Sequence, residues 1–461
     1  MFSRLFHSIL NLRQVLQSSA HWLLLLDKSQ YHHDQSKSFL QMDEVMSAQD
    51  ALPQKTTLEL SDEPRSLIVF NPTEQLQTSV ISITVDSPDA RVVDAETGRP
   101  MAAQISAAWV EPSQVSTEMF QVRMSSSMLR LPSGRLQQLQ VQFLWYGTRT
   151  RTNQEKSGAY LFLPGEDEPQ VKSPLVRVSR GPIFSDITSC FQHFTHTVRL
   201  FHLDGHAGRS LEISNMVDIR SEINRELVMR FVSDVANGNR FYSDLNGFQM
   251  QQRRTLLKLP LQANFYPMTS AAFLQDSGSR LTLLSAQSQA VASLRPGELE
   301  VVLDRRLQQD DNRGLGQGIT DNKLTASLYH LLLEDRRATV EHLSLLAHLT
   351  SDSQLPKLRP FLPLRLSLPC DIHLLNLRTL EDTQVRSTPG DTPLKHLSDV
   401  SCWSWTTGRV NLEDLFSPLR FRSVRHSSLT LLHDEPESAW QPQRITRLQP
   451  MEISAFRVQL D

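Results

Sequence analysis

Cysteine is scarce: Cys190, Cys370 and Cys402 are the only three in 461 residues. That excludes a disulfide-dense scaffold and any zinc site built from four thiolates, and at most one disulfide can close within the chain. An excess of charge of one sign is missing as well. Lys+Arg 47 against Asp+Glu 50 leaves a net charge of -3, so no chain-wide cationic field draws nucleic acid or an acidic membrane, and a nucleic-acid partner is not expected. Long apolar runs are also lacking at the amino terminus. The longest there, Trp22 to Leu26, falls far short of the roughly 20 residues that span a bilayer, so no transmembrane segment is read. Arg13 and Gln14 break the apolar stretch that a signal peptide needs.

What is present is enough chain for two to four domains of about 100–200 residues each. Leu5, Ile9, Leu12, Leu16, Ala20 and Leu23 recur at spacings of three and four, which places them on one face of an amphipathic helix that needs a partner surface. Beyond it the period changes to two. Ile81, Ile83 and Val85 alternate with Ser82 and Thr84, and Leu139, Val141, Phe143 and Trp145 alternate with largely polar neighbours. Such runs are half-buried strands. The same reading applies to Leu281–Leu284, Leu299–Leu303, Leu324–Leu333, Ser428–Leu432 and Ile453–Leu460, with turn pairs at Asn237-Gly238, Asn246-Gly247 and Pro296-Gly297. Many short strands with little helix between them predict a mainly β fold of antiparallel sandwiches. Polar or Pro-rich punctuation at 36–64, 164–174 and 351–369 divides the chain into a helix over 1–35 and β-segments over 60–150, 151–350 and 351–461.

Two stretches invite a chemical reading. His193, His196, His202 and His206 crowd FQHFTHTVRLFHLDGH, and histidine clusters can bind zinc. Strand period sets His193 and His196 on opposite faces, however, so the ligands do not converge and an exposed hairpin is the better expectation. Gly314, Gly316 and Gly318 in RGLGQG look like a phosphate cradle. The third glycine is misplaced for that motif and strand alternation follows it, so a nucleotide site is not expected. A loop whose glycines admit close backbone approach, with Asp310, Asp311 and Arg313 as its polar groups, stands beside a plain solvated turn.

Longer motifs are more specific. YGTRT (146–150), SGAYLFLP (157–164), DLNGFQMQQRR (244–254), LPLQANFYPM (259–268), DRRLQQDDNRGLGQG (304–318) and LPCDIHLLNLRTL (368–380) resemble the carboxyl-terminal half of the family 38 α-mannosidases, and of their Golgi members in particular. The resemblance implies a retaining glycosidase that trims α-linked mannose from N-glycans in the Golgi lumen. Such an enzyme uses an aspartate nucleophile, a carboxylic acid, and a zinc ion that grips mannose hydroxyls. It implies an amino-terminal α/β domain, a helical bundle and carboxyl-terminal β-domains, with the helix over 1–35 as a member of the bundle.

Both catalytic aspartates and all the zinc ligands lie, in the family, upstream of the residues that match here, so none is carried over. His33 in Tyr31-His32-His33-Asp34 mimics the zinc motif, but the residues after it match a noncatalytic segment. Between 118 and 140 the family carries a longer block than this chain, which predicts missing strands and exposed sheet edges. Two substrate-contacting residues do carry over, Tyr160 in SGAYLFLP and Arg313 in DDNRGLGQG. The resemblance also implies mannose-containing glycans as partners and a homodimer as in related mannosidases, and it favours pairing of Cys370 with Cys402 in an oxidising lumen, leaving Cys190 as the free thiol. A noncatalytic glycan-binding or accessory sandwich is the alternative from another class.

Overall fold

The structure is a computed structural model. It describes residues 2–25, 27–31, 41–48, 51–69, 80–95, 97–106, 127–130, 136–148, 155–169, 174–203, 206–247, 249–335, 364, 368, 372–374, 378–380, 388–391, 394–396, 408–416, 419–429, 446–449 and 452–460. The amphipathic stretch forms α1 (Phe2–Leu24), and Arg13 ties it to the Glu44 carbonyl at 2.8 Å. Its expected buried face remains open among the described residues, with Ile9, Leu12, Leu16 and Leu23 exposed. No helix among the described residues is long and apolar enough to cross a membrane.

Four two-residue strands follow: β1 (Glu44–Val45), β2 (Gln54–Lys55), β3 (Thr57–Leu58) and β4 (Thr84–Val85). The run expected as a strand over Ile81–Val85 thus pairs only at its end, and it does so in parallel with β3. The body of the fold comes next. Strands β5 (Ser127–Arg130), β6 (Leu136–Thr148), β7 (Pro164–Pro169), β8 (Leu175–Arg180), β9 (Phe184–Cys190), β10 (Phe194–Phe201), β11 (Ser210–Val217) and β12 (Arg225–Ser233) form its first half. Strands β13 (Arg240–Leu245), β14 (Gln249–Arg254), β15 (Tyr266–Met268), β16 (Ala271–Gln275), β17 (Ser279–Ser285), β18 (Gln289–Ala292), β19 (Glu298–Arg306) and β20 (Thr325–Asp335) complete it.

These sixteen strands make two antiparallel sheets. Nine run in the order β14-β13-β16-β17-β20-β11-β10-β9-β8; seven run β15-β18-β19-β12-β6-β5, with β7 also on β6. Period two explains the core: Phe143 and Trp145 of β6, Leu227, Met229 and Phe231 of β12, Ile213 and Val217 of β11, and Leu281 and Leu283 of β17 belong to one buried apolar cluster. Both sheets therefore close over a shared core, as aligned sandwiches do. One side of β6 is paired in succession, by β5 over Leu136–Leu139 and by β7 over Leu144–Thr148.

The tight loop between β13 and β14 uses left-handed backbone at Asn246 (φ 52) and Gly247 (φ 72), a conformation these two residue types tolerate. Asp244 secures it, accepting the N–H of Gly247 at 2.7 Å and of Thr269, Ser270 and Ala271 at 2.8 to 3.0 Å.

The histidine-rich stretch turns at the β9–β10 hairpin, and its exposure is mixed: His202 is exposed and His193 half-buried, whereas His196 departs from the expectation. His196 points into the core at 1% exposure, against the ring of Phe143, because it shares the inward face of β10 with Phe194. A second apolar cluster, including Leu364, Ile372, Val410, Phe416, Phe456 and Val458, draws on the carboxyl-terminal sheet and on residues outside it. That sheet comprises β21 (Ile372–Leu374), β22 (Arg378–Leu380), β23 (Thr388–Asp391), β24 (Leu394–His396), β26 (Phe421–Ser427) and β28 (Ile453–Leu460), while β25 (Arg409–Val410) pairs β27 (Thr446–Arg447) alone. The strand expected over Ser428–Leu432 is displaced: β26 ends at Ser427, Ser428 and Leu429 leave the ladder, and 430–432 lie outside the described residues. Cys370, Cys402 and His32–Asp34 lie outside them too. Cys190 is half-buried and bonded to no other cysteine among them.

Candidate functional site

Strand β19 runs into a glycine-rich loop that returns at Ile319, where Leu307 and Ile319 exchange backbone hydrogen bonds of 3.0 and 2.7 Å. Within it Asn312, Gly314 and Gly316 all have positive φ, 58°, 104° and 72°, which turns the chain sharply without strain at the glycines. Asp310 accepts the Asn312 N–H at 3.1 Å. Asp311 points the other way and is buried, at 5% exposure.

Against this loop lies a second, residues 157–163. Ser157 Oγ closes its base by donating to the Leu163 carbonyl and accepting the Leu163 N–H, both at 2.9 Å. The Gly158 N–H donates to the Leu161 carbonyl at 2.9 Å. Gly158 lies so near the first loop that a Cβ there would fall 2.5 Å from Asp311 Cβ, so no other residue allows the approach.

One carboxylate joins the two loops. Asp311 Oδ2 accepts the N–H groups of Tyr160 at 2.7 Å and Leu161 at 2.9 Å, and Oδ1 accepts that of Arg313 at 3.2 Å. Desolvation pushes the Asp311 carboxyl upward, but these backbone donors outweigh it and hold its pKa below the ordinary carboxylate value. The structure thus brings Tyr160 and Arg313 to one place through Asp311, which lies 151 residues from Tyr160. Tyr160 is 64% exposed, and the half-exposed Arg313 pairs with Glu155. Tyr160 is no core aromatic, although strand alternation alone would have pointed it inward.

Arg305 holds the opposite side of loop 157–163. Its Nη2 donates to the carbonyls of Gly158 and Leu161, both at 3.1 Å, and its Nε donates to Glu226 Oε1 at 2.7 Å. Glu226 sits opposite Arg305 on the neighbouring strand β12 and is fully buried. Burial pushes its carboxyl up to about 7 against the opposing pull of Arg305. Gln309 adds a bond from Nε2 to the Ser157 carbonyl at 3.0 Å. Sequence reading named Asp311 only as a polar loop residue and missed Arg305 and Glu226 as its counterparts. The placing of Gly158 two residues before Tyr160, and of Asp311 just before Asn312-Arg313, was the available signal.

The remaining candidates do not converge. His193 pairs with Glu222 at 2.8 Å, His196 with Asn215 at 2.8 Å and His202 with Ser185 at 2.9 Å. Among the described residues no group of three or more His, Cys, Asp or Glu could hold a metal.

Residues 122–313, which include loop 157–163, the first part of the glycine-rich loop and most of the sandwich, match the glycosyl hydrolases family 38 C-terminal domain. The chain carries a family 38 carboxyl-terminal domain. The likeness extends over almost all of it. Alpha-mannosidase 2 of Mus musculus is 40% identical over 568 residues, covering 99% of this chain and 49% of the relative. Alpha-mannosidase 2 of Homo sapiens is 38% identical over 565 residues, with the same coverage, and alpha-mannosidase 2x of Mus musculus is 37% identical over 571. The chain thus spans about half the length of the curated relatives it matches, and it resembles the carboxyl-terminal part of α-mannosidase 2. Alignments longer than its 461 residues mean that the relatives carry segments it lacks.

Proposed function

We propose that this chain serves as the β-half of a retaining α-mannosidase that acts on mannose-terminated N-glycans in the Golgi lumen, with Tyr160 and Arg313 reaching the sugar cleft. The observation that supports it is the joint anchoring of these two exposed side chains on the buried Asp311. Exposed polar side chains on ordered loops suit binding. The Tyr160 phenol can donate to and accept from a sugar hydroxyl, and the planar Arg313 guanidinium can bond a hydroxyl or balance carboxylates beside the sugar. Glycosidic cleavage with retention needs a nucleophile and an acid about 5–5.5 Å apart, and these come from the family's amino-terminal α/β domain. Zinc would grip the mannose there, since the described residues offer no ligand set for it.

The same reading divides the chain into a bundle helix over 1–35 and β-domains over 60–150, 151–350 and 351–461, and includes a homodimer. It also pairs Cys370 with Cys402, a link that contributes about 3–4 kcal/mol by chain entropy. Non-reducing peptide mapping should recover the two joined; recovery of both as alkylated thiols refutes the pairing.

The functional test sets the chain alone beside a chimera in which it replaces the matching half of the mouse relative. The chain alone is expected neither to turn over an aryl α-mannoside nor to hold stoichiometric zinc, and the chimera to do both. In the chimera, Arg313→Ala should lower kcat/KM about ten- to a hundredfold with little change in Tm. Turnover with one zinc per chain by the chain alone, an inactive chimera that is folded, or kcat/KM indifferent to the substitution overturns the reading.

A further inference from the structure

We infer that Asp311 and Arg305 are positioning residues, a clamp of opposite charges that fixes loop 157–163 so that Tyr160 and Arg313 are presented as one unit. The inference rests on the functional reading above and goes beyond it, since neither residue touches sugar in that reading. The geometry is specific. The amide side of the loop, the N–H groups of Tyr160 and Leu161, faces the Asp311 carboxylate at 2.7 and 2.9 Å. The carbonyl side, at Gly158 and Leu161, faces the Arg305 guanidinium at 3.1 Å. Charge-assisted bonds of this kind are about twice as strong as neutral ones. A short exposed loop is thereby held on both sides by residues of a single segment, 305–311, while its tyrosine stays 64% exposed.

Each clamp residue is itself held. Glu226 engages Arg305 Nε and thereby orients the guanidinium so that Nη2 meets both carbonyls. A lysine has no planar fork and cannot serve all three partners in that geometry. Arg305 also lies over the Phe162 ring at 5.6 Å, and Phe162 meets Phe265 edge to face at 5.1 Å, so the loop has an apolar footing beneath its polar clamp. Asp311 reaches Arg313 as well. Loss of its charge therefore loosens both presented residues together, which separate supports would not do.

Two measurements decide the matter. In the 461-residue chain, hydrogen exchange of Asp311→Asn should accelerate the amides of Tyr160, Leu161 and Arg313 together, by about ten- to a hundredfold, while the amides of β19 keep their protection. The asparagine turns one acceptor into a donor that opposes one of these sets. Arg305→Lys should accelerate exchange in the same loop. Unchanged protection at Tyr160 and Leu161 overturns the clamp.

In the chimera, Asp311→Asn should lower kcat/KM by about tenfold or more, because a displacement of about 1 Å in a positioned group is enough to do so. The same substitution should have no further effect once Tyr160→Phe and Arg313→Ala are both present. That non-additivity marks action through those residues, and a purely structural role would leave the effects additive. If Tyr160→Phe and Arg313→Ala lower turnover but Asp311→Asn does not, the clamp fails and the functional reading stands. If the chimera is folded but inert with loop 157–163 unaltered, the functional reading fails, and the exchange experiment still decides whether the clamp exists.

Discussion

Arg230→Met is expected to destabilise the sandwich by about 3–5 kcal/mol, the usual cost of leaving one member of a buried ion pair alone. Glu300 is the residue left behind. It is fully buried on β19, directly across from Arg230 on β12, and it receives Arg230 Nε at 2.6 Å, Nη2 at 2.5 Å and the Tyr146 hydroxyl at 2.9 Å. Burial already raises its pKa above the ordinary value while Arg230 pulls it down. With the guanidinium gone, the carboxyl escapes its charge by taking a proton. A carboxyl whose pKa is raised in the folded state contributes its stability at low pH and loses it as pH rises through the folded pKa, so the penalty should be smaller at pH 5 than at pH 8. For a domain of about 150–250 residues, a loss of this size lowers Tm by about 10 °C. Adding Glu300→Gln to Arg230→Met should recover part of it, because the remaining group is neutral and still bonds Tyr146. A single substitution that costs under about 1 kcal/mol, or a penalty independent of pH, would show that Arg230 contributes nothing by pairing.

That pair also shows where sequence reading stops. Strands with one dry face were legible, because Leu139, Val141 and Phe143 alternate with glutamines and do form β6, although Leu144 and Tyr146 at its far end are buried too. Leu281 and Leu283 likewise alternate with Arg280 and Thr282 in β17. Strand β12, RELVMRFVS, is buried on both faces, so its alternation is lost. Arg230 and Glu226 look solvated in sequence only because their partners, Glu300 and Arg305, lie some 70 and 79 residues away. The candidate site behaves alike. Long motifs singled out Tyr160 and Arg313, whereas Asp311 acts across 150 residues to Leu161, a relation that local period and spacing do not contain. The histidine hairpin erred in a different way. Its polar letters suggested exposure, but the inward phase of β10 is set by Phe194 and carries His196 with it.

His196 should therefore add an acid-labile contribution to stability between about pH 6.5 and 4. Its Nδ1 lies 2.8 Å from Asn215 Oδ1, and Asn215 Nδ2 lies 3.2 Å from Ser327 Oγ; that network assigns the proton to Nδ1. Nε2 is buried with no hydrogen-bond partner among the described residues, so a second proton would place an uncompensated charge in the core. Burial lowers its pKa from 6.5 to about 4, although the Asn215 bond works the other way. As pH falls below 6.5 the unfolded chain takes up a proton that the native chain refuses, and stability declines until the native pKa is reached. A shift of this size amounts to about 3 kcal/mol. Against desolvation, backbone N–H groups lower the pKa values of Asp244, Asp276 and Asp311, so their losses fall below about pH 4. Glu226, raised by burial to about 7, gains stability as pH falls through the same window, and the His196 effect is therefore read as the difference between two chains that share Glu226. Urea midpoints for the chain and for His196→Gln, whose amide can still donate to Asn215, should diverge by about 3 kcal/mol in their pH dependence between pH 6.5 and 4. A difference curve flat across that range would mean that the imidazole takes its second proton in the core at no cost.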